Sequence, residues 1–514
     1  MRQTVIGLFI VVLFTLAARQ ATAQDQIRDL VVKIHAVQQS PDLLRPWTRS
    51  SPQQVKGSGV VIDGRRILTN AHVVRYASQI YVQPNQSASH IPARIEAITA
   101  GMDLAILKLD DESFFDNRGS LPFAQELPRV KDSINVYGYP TGGTELSVTQ
   151  GIVSRIEYTD YYYQATGLRI QVDAALNFGN SGGPAVSDGK LVGLVFSLIQ
   201  NAQNIGYLIP VEEIQHFLTD IKDGVYDGKP QTHDLIQTIE NDALRQRLGL
   251  PKGVNGVMVA QPYRDDPDYP LKEWDVITMI GDTPIDADGK VAIRYDLRLS
   301  ASYLVQKYAK NNSLPLKVFR KGNLVSINLP VGSQRELVIP YLLNAIPRYF
   351  IFGPFVFSQT TQDYLERLGN QRPATFGRKP SPLITRRQDR PAFDNEELVV
   401  VASPLFPHRI TKGYDDPNRS VISEVNGVPV RNLRHLVELL RDNRDEQISF
   451  KFASSGVLTH ETMVFNRKDL LEATGKILEE NGIRYPYSQD LRAVWETAPT
   501  GNKSAQVICC GLTP

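Results

Sequence analysis

The chain has 514 residues, of which 56 are basic and 55 acidic, so its formal net charge is +1. A composition of 42% hydrophobic and 22% charged residues excludes a mostly disordered or collagen-like protein, and the balanced charge gives no reason to expect a nucleic-acid partner. The two cysteines, Cys509 and Cys510, exclude a disulfide framework and a four-cysteine zinc site. At about 150 residues per domain, the length predicts about three domains.

The first 23 residues have the layout of a secretory signal peptide. Arg2 supplies a basic start, Val5–Ala18 is a short apolar run, and Ala21–Ala23 is a small-x-small cleavage site. The run is short for a membrane span, which needs roughly 20 residues, so an uncleaved anchor is the weaker alternative. We therefore expect an exported protein of the periplasm, with secretion as an alternative. We expect no stable membrane span after cleavage.

A β-rich region follows a polar segment. Residues 24–50 are polar with scattered prolines and are interpreted as an N-terminal arm. Over residues 51–222, short apolar segments alternate with turn signals such as Asp63-Gly64 and Asp188-Gly189, which predicts a domain of many short strands. The glycine- and proline-containing residues 223–232 are predicted to be a linker.

The rest of the chain contains an internal repeat. Residues 275–285 match residues 420–430, with Val276 corresponding to Val421, 145 residues further on. A helix-like stretch and period-two strands follow each copy. Because this period is far longer than that of solenoid repeats, it predicts a duplicated α+β domain. The two copies are assigned to residues 233–335 and 336–490, and residues 491–514 are left as a C-terminal tail.

Three segments of the β-rich region carry the residue types of nucleophilic catalysis. Ser181 lies in the glycine-rich stretch Asn177–Pro184, where backbone N–H groups can approach a substrate carbonyl. His72 follows a predicted strand and Asp103 precedes another. Of the eight histidines, His72 alone combines a strand end with small neighbours. The set predicts a nucleophile, its base and the residue that orients the base.

An alternative reading of the serine segment is the nucleophile elbow of α/β-hydrolases, which has the pattern G-x-S-x-G. That fold needs a helix directly after the serine and needs the acid and the histidine downstream of it. Here Pro184 follows the serine segment, and His72 and Asp103 both precede Ser181. The order is that of the chymotrypsin type. We therefore expect a mainly β chain, with a chymotrypsin-like double β-barrel followed by the two α+β domains.

The chain resembles the HtrA/Deg serine proteases, and within them the plant-type Deg branch and its bacterial relatives. The segments that carry this resemblance are Gly57–Ile62, Thr69–Val74, Asp103–Leu107, Gly138–Pro140, Val148–Ser154, Gly179–Pro184 and Asn204–Pro210. The two repeats resemble PDZ domains, which have a similar D-V-I pattern. The resemblance covers about residues 50–490. It implies a trypsin-like protease domain over residues 51–222 and PDZ-like units over residues 233–335 and 336–490.

The resemblance also implies roles around the serine. Backbone N–H groups of Gly179 and Ser181 would form the oxyanion hole, with Asn180 shaping that loop. The strand expected to flank the primary pocket of the family contains the following residues: Leu194, Val195, Phe196 and Ser197. No acidic side chain is among them, which predicts cleavage after small or medium aliphatic residues.

The function implied by the resemblance is an ATP-independent serine endopeptidase that degrades unfolded or damaged proteins of the cell envelope in a stress response. Its partners would be unfolded polypeptides and further copies of itself, as a trimer or an assembly of trimers. We expect no cofactor, since the chain has neither the G-x-x-x-x-G-K-[ST] pattern of nucleotide enzymes nor the H-E-x-x-H pattern of metalloproteases. The alternative is a catalytically weak chaperone or peptide-binding scaffold.

Overall fold

A computed structural model describes residues 26–141, 143–198, 205–369, 381–453 and 462–497. The predicted signal peptide and the two cysteines lie outside these residues. The chain divides into two compact units, one formed by the residues up to Gln38 together with Pro52–Arg335, and the other by Gln39–Ser51 together with Glu336 onward. Among the described residues, no helix is both long and apolar enough to cross a membrane.

The first unit begins with a closed barrel. Its strands are β1 (Val31–Gln38), β2 (Gln53–Ile62), β3 (Arg66–Thr69), β4 (Ala77–Gln83), β5 (Ile91–Thr99) and β6 (Leu104–Leu109), arranged in the order β1-β2-β3-β6-β5-β4. Helix α1 (Ala71–Val74) follows β3 directly. The apolar side chains of β3 and β6 are buried in the barrel core.

The prediction of an N-terminal arm over residues 24–50 is wrong for the middle of that segment. Strand β1 lies within it and pairs with both β2 and β4. Its first four residues are all buried, including Lys33. A strand that is buried on both faces loses the alternation of apolar and polar residues by which strands are recognised in sequences. Residues 39–51, which follow β1, belong to the second unit.

A second closed barrel completes the protease region. Its strands are β7 (Ser133–Gly138), β8 (Ser147–Asp160), β9 (Thr166–Val172), β10 (Pro184–Ser187), β11 (Lys190–Leu198) and β12 (Gly206–Pro210), in the order β10-β11-β12-β9-β8-β7. Helix α2 (Val211–Asp220) follows β12. The predicted double β-barrel is therefore confirmed.

The remainder of the first unit is an α+β region. It contains β13 (Leu235–Thr238), α3 (Asp242–Arg247), β14 (Val257–Gln261), β15 (Val276–Ile280), β16 (Thr283–Pro284), β17 (Lys290–Arg294), β18 (Leu297–Ser300), α4 (Val305–Tyr308), β19 (Ser313–Arg320) and β20 (Asn323–Pro330). The main sheet has the order β13-β14-β15-β19-β20, with β16 paired to β15, while β17 and β18 form a separate hairpin.

This α+β region packs against the second barrel. Tyr303 donates a hydrogen bond from its hydroxyl to Glu212 of α2 at 3.0 Å, and its ring lies 5.9 Å from that of Tyr158. The predicted linker is also anchored, because Lys229 donates to the buried carboxylate of Glu213 at 2.6 Å. A buried ion pair is costly to break from one side only. The linker is thus part of the packed first unit.

The second unit has two sheets and the longest helices of the α+β regions. Its elements are β21 (Tyr349–Phe352), β22 (Phe355–Gln359), α5 (Gln362–Arg367), α6 (Pro382–Thr385), β23 (Val399–Val401), β24 (Ile422–Val425), β25 (Val428–Pro429), α7 (Leu433–Asp442), β26 (Gln447–Phe452), β27 (Thr462–Asn466), α8 (Arg467–Glu480) and α9 (Arg492–Glu496). The sheets have the orders β21-β22-β23 and β25-β24-β26-β27.

Helix α7 of the second unit has a side-chain N-cap, since the Asn432 side chain accepts from the backbone N–H of His435 at 2.8 Å. The prediction of a tail from residue 491 is wrong at its start, because α9 lies there and Val494 is buried. Residues 39–51 contribute Trp47, whose ring lies 5.7 Å from that of Phe406.

The internal repeat is visible in the strand register. Met279 faces Pro284 across the β15–β16 pair, and Glu424 faces Pro429 across the β24–β25 pair. Both pairs are related by the same offset of 145 that relates the sequences. The copies differ afterwards, because the β17–β18 hairpin precedes the helix in the first copy, whereas α7 follows β25 almost directly.

Candidate active site

The first barrel presents His72 at the end of a strand. The residue lies in α1, and the neighbouring Ala71, Val73 and Val74 are buried, so the short helix is fixed to the barrel by its apolar side chains. The imidazole remains 45% exposed. The side-chain amide of Gln38 donates to the carbonyl oxygens of His72 and Val73 at 2.7 and 2.9 Å. The base is therefore accessible on a helix held from two sides.

Asp103 lies against His72 and is almost fully buried, with 2% of its surface exposed. Its Oδ2 lies 2.6 Å from Nδ1 of His72, and its Oδ1 accepts from the His72 backbone N–H at 2.8 Å. Its own carbonyl accepts from the Asn70 side chain at 3.0 Å. Asp103 has a φ of 54°, in the left-handed region that is costly for a residue other than glycine. This mutual bonding leaves Nε2 as the ring nitrogen that can exchange a proton with substrate or nucleophile.

Two opposing effects act on the pKa of His72. Desolvation by the surrounding protein lowers it, while the charge of Asp103 and the hydrogen bond to that carboxylate raise it. The second pair of effects is the stronger, so the pKa lies above the ordinary value of 6.5. An imidazolium next to a buried carboxylate is what a general base becomes after it has taken the nucleophile's proton. The site thus favours the proton-accepting step.

The second barrel presents Ser181 on the loop between β9 and β10. Gly179 and Gly182 have φ angles of 96° and 82°, a region that suits glycine. A Cβ at Gly179 would lie 2.4 Å from the carbonyl oxygen of Tyr139, and one at Gly182 would lie 2.2 Å from that of Ser58. The glycines are therefore required by both backbone conformation and close packing.

A backbone hydrogen bond connects the serine loop to the first barrel. The N–H of Ser58, on β2, donates to the carbonyl of Ser181 at 2.8 Å. Within the described residues, the Ser181 hydroxyl forms no hydrogen bond with Nε2 of His72. Catalytic hydrogen bonds are often long in proteins without substrate and tighten when it binds.

The three residues of the predicted oxyanion hole differ in whether their backbone N–H groups are already hydrogen-bonded. The backbone N–H of Asn180 donates to the carbonyl of Asn177 at 3.1 Å, so it is occupied within the loop. In the described part of the chain, the N–H groups of Gly179 and Ser181 have no such partner. These two groups can therefore serve as donors to a developing oxyanion, while Asn180 shapes the turn between them.

The predicted pocket strand is β11, which runs beside the serine loop. The backbone N–H of Val195 donates to the Gly183 carbonyl at 2.9 Å, and its carbonyl accepts from Gly182 at 3.0 Å. The side chains of Leu194, Val195 and Phe196 are buried. They therefore contribute to packing beside the loop. For Ser197, the structure describes the backbone in β11, where it pairs with Tyr207.

Phe196 connects this strand to a run of tyrosines. Its ring lies 5.0 Å from that of Tyr161 and 5.6 Å from that of Tyr162. The Tyr162 backbone N–H donates to the carbonyl of Gly101, two residues before Asp103, at 3.3 Å. The segment thus packs between the predicted pocket strand and the loop that carries the acid.

Two residues close to the site do not stand out in the sequence. Gln38 lies in the segment interpreted as an arm, and its contact to His72 spans 34 residues. Ser58 lies in Gly57–Ile62, a segment that carries the family resemblance but whose pattern indicates no role for the serine hydroxyl. Contacts between distant strands depend on register, and a local sequence pattern does not reveal which side chains the register brings together.

The comparisons with known proteins identify two kinds of domain in the chain. Residues 57–194 match the family model for a trypsin-like peptidase domain, and residues 338–490 match that for a PDZ domain. The chain is 34% identical over 472 residues to Protease Do-like 4, mitochondrial, of Arabidopsis thaliana, covering 91% of this chain and 86% of that relative. It is 32% identical over 468 residues to Protease Do-like 2, chloroplastic, of the same plant, covering 90% and 75%.

The predicted periplasmic or secreted location is wrong by the same comparison. Protease Do-like 4 and Protease Do-like 2 are named for mitochondria and chloroplasts. A third relative, Putative protease Do-like 3, mitochondrial, of Arabidopsis thaliana, is 32% identical over 475 residues, covering 92% of this chain and 81% of the relative. These names place the three relatives in organelles. The prediction rested on residues 1–23, which lie outside the described residues.

Proposed function

Because the chain belongs to the Deg/HtrA family of Do-like serine endopeptidases, we propose that it degrades unfolded or damaged proteins without ATP, as a protease of protein quality control. Ser181 is the proposed nucleophile, His72 its base and Asp103 the residue that orients the base. The observation that carries the proposal is the hydrogen-bonded His72–Asp103 pair on one barrel, with the serine loop of the other barrel tied to β2 beside it.

In the proposed reaction, Ser181 Oγ attacks the carbonyl carbon of a peptide bond while Nε2 of His72 takes the hydroxyl proton. The negative charge that develops on the carbonyl oxygen is bound by the N–H groups of Gly179 and Ser181. His72 then gives its proton to the leaving amine, and the acyl group remains on Ser181 Oγ. Water attacks the acyl carbon while His72 takes its proton, and His72 returns that proton to Ser181 Oγ as the carboxylic acid product leaves. Asp103 stabilises the imidazolium throughout.

The proposal is tested by incubating purified protein with β-casein in the absence of ATP. The wild type should degrade it, and Ser181→Ala should not. Ser187→Ala is the matched control, since its hydroxyl also lies in the second barrel and donates to the carbonyl of Ser133 at 3.0 Å. Equal degradation by wild type and Ser181→Ala would reject the catalytic assignment. A wild type that prevents aggregation without cleavage would favour the chaperone scaffold instead.

We also propose that cleavage follows small or medium aliphatic residues. The buried apolar side chains of Leu194 and Phe196 offer no charge to a substrate lysine or arginine. A library of peptides that varies the residue before the cleaved bond provides the measurement. A strong preference for lysine or arginine would contradict this assignment.

We further propose that the protein acts as a trimer or an assembly of trimers that takes extended polypeptides. PDZ-like units can bind an extended chain by adding it as a strand to a sheet edge. An oligomer with inward-facing sites would admit unfolded chains and exclude folded ones. A mass measurement in solution, with and without casein, should show multiples of three. A monomer under both conditions would contradict the proposal.

A further inference from the structure

The carbonyl groups of the serine loop are held by hydrogen bonds. Each of the four successive carbonyls from Phe178 to Ser181 accepts a hydrogen bond. The donors are Thr141 N to Phe178 O at 2.6 Å, Ser58 Oγ to Gly179 O at 2.8 Å, Gly183 N to Asn180 O at 2.9 Å and Ser58 N to Ser181 O at 2.8 Å. Each peptide group whose carbonyl belongs to residues 178–181 is therefore oriented by a hydrogen bond.

These carbonyls determine where the N–H groups point. In a trans peptide the N–H lies opposite the C=O of the preceding residue, within one plane. Holding the carbonyl of Phe178 therefore directs the N–H of Gly179, and holding that of Asn180 directs the N–H of Ser181. These are the two donors assigned to the oxyanion hole. The carbonyl of Gly179 belongs to the peptide that joins them, whose own N–H is that of Asn180 and donates to Asn177, so displacement of this peptide would move the segment that carries both donors.

Ser58 holds this central carbonyl. Of the four donors, its hydroxyl is the one that belongs to a side chain, while the others are backbone N–H groups. The residue is 0% exposed, and its hydroxyl also accepts from the backbone N–H of Tyr139 at 2.8 Å. A hydroxyl has one proton to donate, and here Gly179 receives it. The first barrel thus fixes the loop of the second barrel through one hydroxyl group.

Loss of this hydroxyl would leave two buried backbone groups without a partner. Gly179 and Tyr139 are both buried, so the Gly179 carbonyl and the Tyr139 N–H could not turn to water without movement of the chain. An unsatisfied buried polar group is costly, so the loop would be driven to reorient its peptides. Gly179 can follow such a change because glycine has access to both signs of φ.

We propose that Ser58 is a positioning residue of the reaction, whose hydroxyl holds the Gly179 carbonyl so that the N–H groups of Gly179 and Ser181 face the substrate oxyanion. The inference rests on the proposed protease function. Within the described part of the chain, Ser58 forms no hydrogen bond with the Ser181 hydroxyl or the His72 ring. It acts through the direction of the two backbone donors, whose effect is largest in the transition state.

The test compares Ser58→Ala with Thr69→Val. Thr69 is the matched control, because it is equally buried and its hydroxyl donates to the carbonyl of Ser58 at 2.8 Å without contact to the Gly179 carbonyl. Each variant removes one buried hydroxyl from neighbouring strands of the first barrel. The readouts are kcat and KM on an unfolded peptide substrate, the affinity for a peptide boronate that mimics the tetrahedral intermediate, and the pH profile.

For Ser58→Ala we expect kcat to fall by about 10²-fold with KM within threefold, because complete loss of one oxyanion donor costs about 10²- to 10³-fold and here two donors are displaced without being removed. Boronate affinity should fall in parallel, and the acid limb of the pH profile should not move, because His72 and Asp103 are untouched. Thr69→Val should keep kcat and boronate affinity within threefold of wild type. Ser58→Cys, which retains a weak donor, should fall between the two.

Four outcomes would overturn the inference: unchanged kcat in Ser58→Ala, equal losses in Thr69→Val, a shifted acid limb, or a loss confined to KM. If Ser58→Ala does not fold, Ser58→Cys carries the same comparison, and full activity in that variant without boronate weakening would also reject it. A wild type that neither cleaves the peptide nor binds the boronate would instead reject the proposed protease function, so the two failures are distinguishable.

Discussion

The two barrels contribute to the site in different ways. The first barrel supplies His72 and Asp103, two side chains that are already joined by a hydrogen bond and fixed by backbone contacts. The second supplies a loop whose donors are backbone N–H groups and whose shape requires glycine at positions 179 and 182. In the first barrel the chemistry depends on which side chain is present. In the second barrel the chemistry depends on glycines that have no side chain, and on the hydrogen bond from Ser58 of the first barrel.

The role of the first barrel's side chains is tested by Asp103→Asn, which should have the largest effect. An asparagine cannot accept from both the backbone N–H and Nδ1 of His72 while stabilising an imidazolium, so kcat/KM should fall by about 10⁴-fold. Steady-state kinetics on a peptide substrate give the value. Asp110→Asn is the control, because that carboxylate is exposed and pairs with Arg94 at 3.2 Å, so its loss should have little effect. A decrease in kcat/KM of less than tenfold in Asp103→Asn would contradict the role of the acid.

The role of the second barrel's backbone loop is tested by Gly179→Ala. The added Cβ would lie 2.4 Å from the carbonyl oxygen of Tyr139, so the loop must move and one oxyanion donor with it. We expect kcat to fall by about 10²- to 10³-fold. Gly189→Ala separates packing from backbone strain, because Gly189 also has a positive φ, 73°, but its Cβ would meet no atom within 4 Å. Similar losses of kcat in both variants would contradict the argument from close packing.

The support of the catalytic helix predicts a smaller effect. Gln38→Leu removes two hydrogen bonds to the carbonyls of His72 and Val73, each worth about 1 kcal/mol. We expect a fall in kcat of up to about tenfold and a lower Tm. Gln79→Leu, an exposed glutamine on β4, is the control for the loss of an amide. If the Tm falls but kcat does not, Gln38 stabilises the barrel without positioning the base.

The pH dependence gives the smallest expected effect. His72 must be neutral to accept the proton of Ser181, and its pKa is raised above 6.5 by Asp103. The acid limb of kcat/KM should therefore lie above pH 6.5, and at pH 6 the value should be lower than at pH 8 by at least about threefold. A limb below pH 6 would show that desolvation of the imidazole outweighs the carboxylate.

The local patterns of the chain predicted the double barrel, the repeated α+β regions and the family. Strand alternation, turn residues and glycine-rich motifs are short-range features, so they can be recognised in a sequence. Strand β1 was not predicted, because its first four residues are all buried and therefore show no alternation of apolar and polar side chains. The anchoring of Lys229 at Glu213 likewise depends on how a distant helix packs.

The sequence by itself therefore determined which chemistry the chain carries, because His72, Asp103 and Ser181 each lie in a recognisable motif. The tertiary structure decided how those groups are supported. The register of β1 brings Gln38 to the helix of His72, and the packing of the two barrels brings the hydroxyl of Ser58 to the Gly179 carbonyl. Such contacts join residues 34 and 121 positions apart, and they form only when closure of the barrels places distant strands side by side.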